Sequence, residues 1–174
     1  MGCSSSIDRH QRRVNPDPID IPLSKAQKYL VRETWETVEL YKNNVGKQTF
    51  LRFFENNPEF QKLFPEFKEL KYEELQKANA LHGHAKRVMK AVENAVSAMD
   101  DAVCFSAYLE ELGRRHVARS LKPSYLDAMQ AALMDSLRQV LQSEWTDETA
   151  IAWNKLFRFI ADTMITGLQS SPTT

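Results

Sequence analysis

From Ser24 to about residue 168, apolar side chains recur at steps of three and four, the period of helices that bury one face, and no stretch alternates convincingly as a strand would. Ser24 and Gln27 form S-x-x-Q, a capping box in which hydroxyl and amide each satisfy an orphan backbone donor, so a first helix is predicted through about Tyr41. A second runs from near Asn44 to Asn56. Asn57 before Pro58 reads as the cap and first-turn proline of a short third, ended around Phe64 because Pro65 disfavours helical geometry in its predecessor. The longest candidate spans Tyr72 to Met99, with Leu75, Leu81, Val88, Val92, Ala95 and Met99 on one stripe and Lys77, Lys86, Lys90 and Glu93 turned outward. After Asp100 and Asp101 a helix carrying Phe105, Leu109 and Leu112 runs to His116. Pro123 starts another, with Leu126, Met129, Leu133, Leu137 and Leu141, and Thr146 caps a last one bearing Trp153, Leu156, Phe157, Ile160 and Met164. The fold class is therefore all-α: seven or eight helices with no sheet to bury them must pack on one another.

The pattern is different before Ser24. "VNPDPIDIP" holds three prolines in nine residues, each fixing its own torsion and pushing its predecessor away from helix, so this is an extended linker. Ahead of it, "MGCSSS" fits the signal for N-myristoylation of Gly2 once Met1 is removed, with Cys3 beside it as a site for S-palmitoylation. One acyl chain holds a protein to a bilayer only marginally; a second chain, or the excess of Arg9, Arg12 and Arg13 over Asp8, makes the attachment stable. The expected organisation is an acylated tail and linker over 1–23, a folded domain over 24–168 and a short tail over 169–174. The expected location is the cytosolic face of a membrane, the plasma membrane above all.

Composition narrows the function. The 174 residues are 43% hydrophobic and 26% charged, enough for one domain with a cofactor-sized interior. Twenty-three basic residues balance twenty-three acidic ones, and no basic run alternates with aromatics, so nucleic acid is not an expected partner. No apolar run reaches the roughly twenty residues of a membrane span. Two cysteines, Cys3 and Cys104, make no disulfide framework or thiolate metal cluster; Cys104 reads as a buried or partly exposed thiol rather than a redox switch, with pairing between molecules left open, and the compartment as reducing. Trp35, Trp145 and Trp153 read as packing residues.

Two histidines interrupt the apolar stripes. His116 follows Phe105, Leu109 and Leu112 at steps of four, three and four, and His84 falls between Leu81 and Val88, whereas His82, about 200° round the helix, points largely outward with Lys86 and Met89. Either inward imidazole alone could be a core histidine satisfied by one backbone partner. Two unpaired ones cost about 1 to 3 kcal/mol each, which favours a shared ligand. No carboxylate lies on either stripe to complete a zinc site, while a planar cofactor bringing its own four nitrogens needs only axial ligands. That points to haem, with His116 as the fixed ligand and His84 as a sixth ligand or a hydrogen-bond donor to bound gas.

"HAKRVM", "LGRRH" and "KLFPEF" together resemble the distal-histidine, proximal-histidine and haem-wedging phenylalanine segments of globins, in that family's order and spacing. The resemblance covers the whole folded body and implies a globin fold around a b-type haem. It makes His116 the proximal iron ligand, His84 the distal one, Val88 its apolar neighbour, Phe64 the ring on the haem face and Phe50 a cover over the distal side. It places Arg87 near a haem propionate and Leu112 and Leu121 along the proximal edge. "HAKRVMKAVENAV" is similar to the neuroglobin-like branch, and the acylated terminus to its membrane-bound relatives of the globin X type. What this implies is six-coordinate iron that binds O2, NO and CO, with NO oxidation, nitrite reduction or electron transfer fed by an unidentified reductase. Reversible O2 carriage is the alternative function, and an acylated helical adaptor without cofactor a third.

Overall fold

The computed structural model describes residues 20–170; the tail bearing Gly2 and Cys3 lies outside them. The described chain is helical, without a strand: α1 (Lys25–Leu40), α2 (Lys42–Asn56), α3 (Tyr72–Leu75), α4 (Asn79–Ser97), α5 (Ala102–Arg115), α6 (Pro123–Leu141) and α7 (Asp147–Gln169). The sequence signals for helix starts operate as expected. Ser24 and Gln27 exchange both capping-box hydrogen bonds, at 3.2 and 3.0 Å. Asp101 accepts from the Cys104 amide at 3.2 Å, Pro123 opens α6, and Thr146 accepts from the Thr149 amide at 3.2 Å.

Three elements differ from expectation. The second helix starts at Lys42, two residues early, because Tyr41 both ends α1 and starts α2. The segment Pro58–Leu63 is a 3-10 helix rather than α, since Pro58 and Pro65 bracket too few residues for an i to i+4 ladder; Phe64 itself is extended (φ −114°, ψ 95°), as a residue before proline should be. The long helix over 72–99 is broken. Leu75 and Leu81 are both buried, yet six residues at about 100° each place them about 120° apart on one continuous helix. Two 3-10 type bonds, from Lys77 to Glu74 and from Ala78 to Leu75, and an extended Ala78 re-aim the chain so that both point inward.

The buried arc of α4 is rotated from the expected stripe. Leu81, Ala85, Met89, Val92, Ala95 and Val96 are buried, leaving His84 and Val88 half-buried at its margin. Met89 is not outward, because α2 crosses at Gly46, where a Cβ would stand 2.7 Å from Met89 Cγ. His82 is not outward either: half-buried, its Nε2–H donates to the Gln76 carbonyl at 3.1 Å and helps close the α3–α4 turn.

The core has two parts. The larger joins α1, α4, α5, α6 and α7 around Trp153, whose indole N–H donates to Thr34 Oγ1 at 3.0 Å while its ring leans on Trp35, the packing role expected of both. Ile21 and Leu23, in the stretch read as linker, are buried in it. The smaller is an aromatic cluster of Phe50, Phe53, Phe54 and Phe67 with Leu75, Leu81, Ala85 and Ala132. Under the larger part α5 lies directly on α7. A Cβ on Gly113 would stand 2.9 Å from the Met164 carbonyl carbon, and one on Gly167 2.7 Å from that of Glu110, so only glycine lets these backbones touch. Cys104, half-buried in the first turn of α5, is disulfide-bonded rather than a thiol, so the cysteines do not argue for a reducing compartment.

Candidate functional site

The end of α5 presents His116 at the helix C-cap, half-buried. Its Nδ1 lies 2.7 Å from the carbonyl oxygen of Leu112, one of the terminal carbonyls a helix leaves without an internal partner. A carbonyl only accepts, so Nδ1 carries the proton and Nε2 keeps an open lone pair. Donation from one nitrogen to a backbone carbonyl is the usual support of a histidine that binds metal through the other, since it fixes the ring and raises its basicity.

From α4, His84 stands edge-on to two phenylalanines. Its ring centroid is 5.0 Å from that of Phe50, at 81°, and 5.3 Å from that of Phe64, at 80°. Burial pushes its pKa down to about 4, and the positive charge of Arg87 beside it adds to this. His84 is therefore neutral at ordinary pH. Arg87 Nη2 lies 3.1 Å from His84 Nδ1.

The other expected residues surround this pair unevenly. Phe50 is buried, and Phe64, stacked on Phe67 at 5.0 Å, is half-buried. Val88 packs half-buried on the aromatic cluster; Leu112 and Leu121 pack half-buried on the larger core; Arg87 is exposed. Met129, which touches both parts of the core, was anticipated only as a packing residue. Sequence reasoning missed the support behind Phe64, namely Phe54 (5.3 Å), Phe67 and, farther back, the Phe60–Tyr125 contact at 4.5 Å. The signal was present as six phenylalanines between positions 50 and 67.

Among the described residues no group of three or more His, Cys, Asp and Glu side chains could hold a metal unaided, and no helix is long and apolar enough to cross a membrane. Two hollows, of about 320 Å³ beside Lys42, Lys86 and Glu93 and about 280 Å³ beside Val117, Leu121 and Ile165, lack a facing imidazole pair. The histidine pair thus offers one open nitrogen lone pair, a neutral second imidazole and apolar walls, a donor set suited to a metal whose remaining ligands come with it.

The family model for globins matches residues 47–164, which include both histidines, both phenylalanines and all of α4 to α6. The chain belongs to the globin family. This globin is 27% identical to cytoglobin-1 of Oryzias latipes over 156 residues, 88% of each chain. It is 32% identical to cytoglobin-2 of the same fish over 139 residues, 78% of this chain and 76% of the other. It is 34% identical to globin-1 of Petromyzon marinus over 118 residues, 66% and 78% of the two chains. In fold it is similar to a crystal structure described as a hexacoordinated heme protein from an anhydrobiotic tardigrade, with a TM-score of 0.82, 21% identity and coverage of 86% of this chain and 97% of that one.

Proposed function

We propose that this globin holds a b-type haem between His116 and His84 and works on small gaseous and redox ligands at a membrane surface. The observation that carries the haem reading is the Nδ1–H of His116 donated to Leu112, which orients an unprotonated Nε2 for iron. The relatives support it: the fold neighbour is described as a hexacoordinated heme protein, and the sequence relatives are cytoglobins and a lamprey globin. When bound, the haem supplies an iron centre that takes O2, NO, CO or nitrite and exchanges electrons.

The chain's own residues then determine access. His116 would hold the haem iron through Nε2, and Leu112 and Leu121, packed on the larger core, would offer apolar contact beside it. Phe64 and Phe50 form apolar walls that exclude water, and Val88 sits one turn after His84 on the same margin. His84, kept neutral, would serve as a sixth ligand when released from Arg87, so an external ligand competes with an internal one and its apparent affinity is reduced by the fraction of open sites. Such competition suits NO oxidation, nitrite reduction or electron transfer from a reductase better than bulk O2 storage. We expect His84→Leu to convert the ferrous absorption spectrum from six- to five-coordinate with haem retained; an unchanged spectrum would refute internal ligation.

The anchor is proposed from the sequence alone, on N-myristoylation of Gly2 with either the excess of Arg9, Arg12 and Arg13 or palmitoylation of Cys3 as its second signal, on the cytosolic leaflet as in relatives of the globin X type. Cys3 is the only cysteine besides Cys104, and a sulfur in a disulfide cannot carry an acyl thioester, so S-acylation of Cys3 and a bond between the two exclude each other. Myristoylation of Gly2 is compatible with either. Gly2→Ala should therefore move the protein from the membrane fraction to the soluble one, as read by fractionation of expressing cells; persistence on membranes would defeat the anchor.

A further inference from the structure

The bond between Arg87 and His84 has a consequence for which imidazole nitrogen carries the proton. A guanidinium has donors only, so His84 Nδ1, 3.1 Å from Arg87 Nη2, must accept. A neutral imidazole holds one proton, which then resides on Nε2. In that tautomer His84 is a hydrogen-bond donor through Nε2 and has no free lone pair: Nδ1 is taken by arginine and Nε2 is protonated. To bind iron through Nε2, the proton must move through solvent to Nδ1, and the resulting Nδ1–H would face a second donor in Arg87. Ligation and the arginine bond therefore exclude each other.

We propose that Arg87 is a positioning residue that holds His84 as a hydrogen-bond donor and opposes its ligation of iron. The inference rests on the haem reading above and deepens it. The local structure supplies the contact. Arg87 and His84 are three residues apart on α4 and so share a face. Gly83 does not crowd the arginine: a Cβ there would stand 3.8 Å from Arg87 Nη1, an ordinary contact. The nearby carboxylate of Glu66 is engaged across the site with Arg119, at 3.9 Å. Removing the arginine donor frees Nδ1 to donate to water, which favours the tautomer that ligates.

The test uses the full chain, with and without haem, as wild type, Arg87→Ala and Arg87→Lys. Nitrogen-15 NMR of the haem-free chain reads the His84 tautomer directly; the Nε2–H form should dominate in the wild type and the Nδ1–H form should gain in Arg87→Ala. In the haem-loaded ferrous protein, absorption spectra and the rate of CO binding should show the ratio of six- to five-coordinate iron rising roughly three- to tenfold in Arg87→Ala, the range for losing one partly exposed charge-assisted bond. Arg87→Lys, which keeps a charged donor, should fall between the two. An arginine with only a packing role would leave the tautomer unmoved. The same tautomer in wild type and Arg87→Ala would overturn the proposal, as would a tautomer shift with unchanged coordination. A wild-type chain that takes up no haem overturns the haem reading and the ligation claim with it, while the NMR arm still shows whether the arginine bond exists, so the two failures are distinguishable.

Discussion

His116→Ala should strip the globin of its haem. The side chain offers the open Nε2 held by the Leu112 carbonyl, and no other imidazole approaches from α5. Losing a group that merely supports a ligand typically costs about 10- to 100-fold in metal affinity, so losing the ligand itself should exceed that range. The fold should persist, because His116 lies beyond the last residue of α5 and is only half-buried, and the freed Leu112 carbonyl can turn to water. The measurement is the haem band relative to protein absorbance after purification, alongside far-ultraviolet circular dichroism. Added imidazole should restore part of the band by filling the vacated position. A variant that keeps its haem with an unchanged spectrum would show that the proximal ligand is another residue.

Gly113→Ala should destabilise the protein by up to about 2 kcal/mol, although in an exposed helix the same change helps. Alanine gains about 1 kcal/mol over glycine in helix propensity, whereas overpacking a filled site costs about 1 to 3 kcal/mol and occasionally more. Here the new methyl meets the backbone of Met164, which no rotamer change relieves, so the clash wins and α5 must lift from α7. Gly83 is the control within α4. Its only close neighbour is the far end of Arg87 at 3.8 Å, ordinary contact, so Gly83→Ala should stabilise by about 0.5 to 1 kcal/mol. Urea unfolding midpoints at constant slope would measure both. Equal signs for the two variants would contradict the backbone contact between α5 and α7. Because α5 carries His116, Gly113→Ala should also loosen haem retention.

Much of the local chemistry of helix ends was legible in the chain. Ser24 with Gln27, Pro58, Pro65, Pro123 and Thr146 act on neighbours within a few residues, so their effects need no tertiary context, whereas the expected Asn57 cap does not form: that side chain donates backward to the Phe53 carbonyl at 3.0 Å. Spacing sets His84 and His116 beside apolar stripes, since helical period depends only on residue separation, and in the structure both are half-buried at the margin of the core. Which side of α4 is buried was not legible. The choice between Val88 and Met89 as the covered residue depends on where α2 crosses, and that crossing is set by Gly46 against Ala85 and Met89, about forty positions apart in sequence.

What the sequence determined by itself is therefore the class of the fold, most helix boundaries where caps and prolines act, the setting of two imidazoles beside apolar stripes and the amino-terminal acylation signal, because each rests on interactions within a turn or two or on covalent order. The tertiary structure decided the break between α3 and α4, the aromatic wall behind Phe64, the touching backbones of α5 and α7, and the hydrogen bonds that assign a proton to one nitrogen of each histidine. Those depend on packing between distant segments and on how particular side chains settle. A proton on an imidazole follows its partner, and a partner is known only when the chain has folded.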